Sequence, residues 1–104
     1  MAFTSNGKVH DGVQGGWIEF GTFTLDPASI AATAQGAETV TISGIAAGDQ
    51  AVANPRGADA MLAFAGCEVT DTDELTVYLN NAYDATTAVD GASLTYDVII
   101  FHRS

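Results

Sequence analysis

Turn-forming residues interrupt this chain roughly every 8–12 residues, and that spacing limits its possible folds more than any other feature. Gly21, Asp26-Pro27, Gly44, Gly48-Asp49, Asn54-Pro55, Asp71-Thr-Asp-Glu74 and Asn80-Asn81 cut it into short segments. The segments are rich in aromatic and β-branched residues. Several alternate with a period of two: residues 38–43 set Val40 and Ile42 against Thr39, Thr41 and Ser43, and residues 75–79 put Leu75, Val77 and Leu79 on one face. Short segments with that period are strands. Residues 28–36 are too few, and too poor in large apolar groups, for a packed helix and read as a loop. Residues 82–92 form a second, longer polar loop. The pattern predicts an all-β chain of six or seven strands, arranged as a small antiparallel β-sandwich of jelly-roll-like type.

Two segments change parity at a glycine. In residues 17–25, Ile18 and Phe20 share one parity while Phe23 and Leu25 share the other. In residues 61–69, Leu62 and Phe64 precede Gly66, and Cys67 and Val69 follow it out of phase. One inserted residue produces such a shift, so Gly21 is read as a bulge or a bend between two short strands, and the same parity change recurs at Gly66. Residues 98–101 are apolar on both faces. That predicts a central strand covered on both sides, or one whose outer face meets a partner. Trp17, Phe20, Ile99 and Phe101 are the candidate oligomer contacts. The first sixteen residues contain Gly7, Gly12, Gly15 and Gly16 and show no period. They read as an extended N-terminal arm, with the β-domain at residues 17–104.

Composition narrows the function. Thirteen acidic and three basic side chains give a net charge of -10. Nucleic-acid binding needs clustered Lys and Arg, whereas Lys8, Arg56 and Arg103 are scattered, so no nucleic-acid partner is expected. Anionic membrane surfaces are disfavoured for the same reason, and no apolar stretch approaches the roughly 20 residues of a spanning helix. The N-terminus lacks the pattern of a signal peptide. Cys67 is the lone cysteine, which implies a reducing site of synthesis. Eighteen alanines thin the core, so support from oligomer contacts is expected.

Chemistry-bearing residues are sparse. A nucleophile would need a histidine and an orienting acid beside it. His10 lies in the Gly-rich stretch and His102 lies two residues from the end, both where chains usually fray. Cys67 reads as a small core residue. Asp71, Asp73 and Glu74 crowd three carboxylates into four residues but lack the spacing and glycine of a calcium loop; with Asp84 and Asp90 they read as turn formers. No metal, cofactor or catalytic group is assigned. Trp17 could stack on a sugar, with Tyr83 as a second aromatic, but its place at a strand start beside Ile18 and Phe20 favours a structural role.

The order of several segments resembles a recurrent small β-domain in structural proteins of tailed bacteriophages. Residues 21–30 (GTFTLDPASI) lead into ETVTISG at 38–44, then Gly48-Asp49 and VANP at 52–55. AGCEV at 65–69, DELTVYLNN at 73–81, Asp90 and YDVII at 96–100 follow. The resemblance covers roughly residues 21–101. It implies a non-enzymatic virion protein that binds the outside of the capsid as a decoration, or cement, protein. It also implies a homo-oligomer, with a trimer favoured, located on the capsid exterior with the major capsid protein of the same virion as its partner, and synthesised in the host cytoplasm. The resemblance implies nothing about residues 1–20; read from the residues alone, the arm is a grip on the lattice that adds an extended segment to a capsid edge, with Phe3, Lys8, Val9, His10 and Val13 as the capsid contacts. The alternatives are a tail, fibre or baseplate component, or a carbohydrate-binding, adhesin-like module.

Overall fold

A computed structural model of the chain describes residues 3–10, 17–57 and 62–103, with backbone alone at 6 and 8–10. Seven strands follow in order: β1 (Phe3–His10), β2 (Trp17–Leu25), β3 (Gln35–Thr41), β4 (Gln50–Pro55), β5 (Leu62–Asp71), β6 (Glu74–Asn81) and β7 (Leu94–His102). There is no helix among the described residues, and hence none long and apolar enough to cross a membrane. The strands form two antiparallel sheets, one ordered β1-β2-β7-β4 and the other β3-β6-β5.

One apolar core lies between the sheets. The first contributes Phe23, Leu25, Ala53, Tyr96, Val98 and Ile100, and the second Val40, Leu62, Leu75, Val77 and Leu79. Val40, Leu75, Val77 and Ile100 are wholly excluded from solvent. The inward faces expected from the period-two pattern of residues 38–43 and 75–79 are therefore those observed. Phe23 stacks on Tyr96 with ring centroids 5.1 Å apart, within the range of favourable aromatic pairs. Two long loops close one end of the core. They meet in an antiparallel bridge between Ile30 and Val89. The buried Asn81 amide donates to Ile30 O at 2.9 Å and Thr87 O at 3.0 Å, which joins both loops to the end of β6.

The parity change at Gly66 is a bulge: the β5–β6 register shifts between Phe64 and Gly66. Gly66 has φ +125°, a conformation that side chains disfavour. At Gly21 there is neither a bulge in the β2–β7 pairing nor a division into two strands. The β2–β7 register runs unbroken from Trp17↔His102 to Leu25↔Leu94. The alternation in β2 is continuous, but its core face begins with a polar residue and a glycine. Glu19 and Gly21 lie inward with Phe23 and Leu25. Gly21 serves a close approach instead: a Cβ there would stand 2.3 Å from the Phe3 ring and 2.5 Å from Thr4 O.

Of the segment read as an arm, residues 3–10 run as β1, the edge strand laid along β2. Its register slips between Ser5 and Gly7. Residues 1, 2 and 11–16 lie outside the described residues.

Candidate interaction face

The outward side of the first sheet is unlike the rest of the surface. Its strands place alternate residues outward, and their registers align them in rows across the sheet. One row runs Val52–Ile99–Phe20 and the next runs Gln50–Phe101–Ile18. Phe20, Val52 and Phe101 are 44%, 53% and 41% exposed, and Ile18 and Ile99 are half-buried. Five large apolar side chains thus lie side by side in water, an arrangement soluble monomers rarely tolerate without a use.

Further along the strands the same face turns polar. The next row is Asn54–Asp97–Thr22, followed by Thr95 and Thr24, whose hydroxyls lie 3.3 Å apart. Asp97 is the one acid among the described outward residues of this sheet, and Arg56 neutralises it. Arg56 Nε and Nη2 donate to its two carboxylate oxygens at 2.9 and 2.7 Å. That fork of hydrogen bonds holds the Asp97 carboxyl below its ordinary range and raises the Arg56 guanidinium.

The second sheet presents the opposite character. Thr39, Thr41, Glu68, Thr70, Glu74, Thr76 and Tyr78 lie on its outward side. Tyr78 Oη donates to Glu68, which pushes the phenol pKa up. Thr70 and Thr76 share a 2.8 Å hydrogen bond. No Lys or Arg falls in any of these strands, so this side carries uncompensated negative charge.

At the apolar end of the first sheet, a polar cluster is buried beneath the face. His102 Nε2 is hydrogen-bonded to Glu19 Oε1 at 2.8 Å, both side chains being 5% exposed. On the other side of the ring, Asp49 Oδ2 lies 3.6 Å from Nδ1. Asp49 accepts from Ala46 N at 3.0 Å and Arg103 N at 2.9 Å. The cluster therefore ties β2, β7 and the loop before β4 together. His102 was expected at a fraying terminus; it is instead paired from Trp17↔His102 inward and closed off from solvent.

The expected oligomer contacts divide. Phe20, Ile99 and Phe101 lie together on the outward face. Trp17 has the inward parity of Glu19 but stands at the strand end, where it is 42% exposed. Ile18 and Val52 join the face although neither was singled out. Val52 was legible only through its pairing with Ile99, which the sequence of one strand does not show. Among the expected capsid contacts, Phe3 is partly buried against the core. Lys8, Val9 and His10 lie on β1 opposite Glu19, Ile18 and Trp17 in register, and Val13 lies outside the described residues.

The carboxylates read as turn formers act as such. Asp73 accepts from Gly44 N at 2.8 Å, Asp71 from Thr72 N at 2.8 Å and Glu74 from the Thr70 hydroxyl. Asp84 Oδ1 accepts from Thr86 N at 2.8 Å and Thr87 N at 2.7 Å, which lowers the Asp84 pKa. No group of three metal-ligating side chains is gathered among the described residues. Cys67 is half-buried against the core, and burial pushes its thiol pKa up. An apolar cleft of about 330 Å³ opens between Pro27, Pro55, Leu62, Phe64, Leu94 and Tyr96.

No protein-family model, curated protein or solved structure matches the chain.

Proposed function

We propose that this protein is a non-enzymatic structural component that works by attaching to a larger assembly, in the manner of a capsid decoration protein on a phage shell. The observation that carries the reading is the apolar outward face of Phe20, Val52, Ile99 and Phe101 on a strongly acidic chain. Such a face is costly in water and is stabilised when a contact covers it. The two sheets are read as a sandwich of jelly-roll-like type, a rigid frame that holds the face in place. The partner is the major capsid protein of the same virion, and the chain self-associates as decoration proteins do. Attachment of many copies to one shell lets individually weak contacts add through avidity.

The test is to mix the purified protein with expanded shells and measure co-sedimentation and shell melting. Saturable binding that raises the shell's melting temperature is the expected result. Absence of binding, with shell stability unchanged, removes the capsid reading; binding to isolated tails would move the protein to the tail, fibre or baseplate.

A further inference from the structure

We infer that the apolar face of the first sheet pairs with the same face of a second copy about a two-fold axis. The inference rests on the reading of this face as a contact surface and names its occupant. It also replaces the trimer that the phage resemblance implies. A single self-complementary patch closes as a two-fold dimer, whereas a ring of three must bury two different patches on each copy.

Charge placement selects a second copy. Each chain carries -10, so two copies repel wherever their acids approach. On the outward side of the first sheet the described residues sum to neutrality, because Asp97 is held by Arg56. Glu68 and Glu74 lie on the outward side of the other sheet. Stacked sheets are about 10 Å apart. Pairing through the first sheets therefore leaves the two acidic sides about 30 Å apart, several times the screening length of about 8 Å at physiological salt. Pairing through the second sheets would bring them into contact. The neutral face also offers no net charge with which to select a charged foreign partner.

The rows suit the geometry. Phe20 and Phe101 are the large anchors, set diagonally across β2 and β7, with Ile18, Ile99 and Val52 filling between them. A partner turned half a revolution presents the same rows in reverse order, so aromatic meets aliphatic across the axis. The two rows span three strands, so the face measures roughly 14 by 14 Å from strand spacing and rise, or roughly 200 Å² per copy. A standard stable interface buries about 800 Å² per partner. The dimer is therefore weak, concentration-dependent and favoured where copies are crowded together.

Sedimentation equilibrium of the full chain, from about 10 μM to 1 mM, tests this directly. The expected result is a monomer–dimer equilibrium that shifts toward dimer as salt screens the net charge. Phe20→Asp should raise the dissociation constant by about ten-fold or more, as expected for loss of an interface anchor. Val52→Asp should act in the same direction from the exposed edge strand. Thr39→Asp adds the same charge on the other sheet and should leave the equilibrium unchanged; circular-dichroism melting confirms that each variant folds. A chain that stays monomeric at every concentration and salt, a trimer, or a dimer indifferent to both face variants would overturn the inference. Shell binding is scored separately. A monomer that binds shells removes the pairing and keeps the attachment reading, and a dimer that ignores shells does the reverse.

Discussion

At the scale of single residues, the buried His102–Glu19 pair decides most. Its partners are 83 positions apart, and each looks unremarkable in sequence: a glutamate in an apolar strand and a histidine near the end. Only the β2–β7 register brings them together. Removing one member of a buried pair takes a hydrogen-bond partner from the other while it stays desolvated. His102→Ala should therefore destabilise the fold by about 3–5 kcal/mol, read from the midpoint of urea unfolding. Glu19→Gln, which keeps a hydrogen-bonding oxygen, should cost less; an equal or smaller loss for His102→Ala would show that the pair does not hold the sheet end. Asp84 and Asp97 act at the surface. Both have pKa values below the ordinary range, Asp84 chiefly through the Thr86 N–H and Asp97 through Arg56. A carboxylate with a depressed folded-state pKa contributes stability above its unfolded value of about 3.9, and that contribution is lost as pH falls through the folded value. Asp84→Ala should therefore lower the melting temperature at neutral pH. The gap should close as the pH is taken from about 5 toward 2; a gap that stays constant over that range would exclude this linkage.

At the scale of elements, the inward face of β6 was legible and that of β2 was not. In β6 the alternation of Leu75, Val77 and Leu79 with polar neighbours leaves one possible inward face. Val77→Ala should cost about 1–3 kcal/mol through lost burial and the cavity left behind. An unchanged melting temperature would contradict the wholly buried position of Val77. In β2 two apolar faces compete, and apolar parity alone could not show that Glu19 and Gly21 belong to the core side. A buried carboxyl group that finds a hydrogen-bond partner and a glycine that admits a ring both break the rule that inward residues are large and apolar. Gly21→Val would drive a side chain into the Phe3 ring and the Thr4 carbonyl. It should detach β1, seen as faster amide exchange in residues 3–10 while exchange in β6 stays slow. Protection retained in both would mean that β1 can shift to make room. In β5 the parity change did signal a bulge, because Gly66 takes a backbone conformation other residues resist.

At the scale of the whole molecule, charge and apolar surface are segregated. One outward side carries glutamates with no basic residue in their strands, and the other carries the apolar rows with a neutralised aspartate. Function is proposed to follow from that polarity. If the N-terminal segment grips the shell as proposed, a chain lacking residues 1–16 should stay folded through β2–β7 and lose shell binding. A truncated chain that binds normally would exclude the N-terminal segment as the grip.

By itself the sequence determined that this chain is built of short strands, which faces of β3 and β6 turn inward, and that its net charge is strongly negative. Those properties follow from local period, turn chemistry and composition, which depend on near neighbours alone. The tertiary structure decided what needs distant partners: the burial of His102 against Glu19, the room at Gly21 for Phe3, and the union of Ile18, Phe20, Val52, Ile99 and Phe101 into one face. The physical reason is that period two assigns each residue to one of two sides of its own strand. Only cross-strand register determines which side faces the core, and which residues of other strands lie beside it.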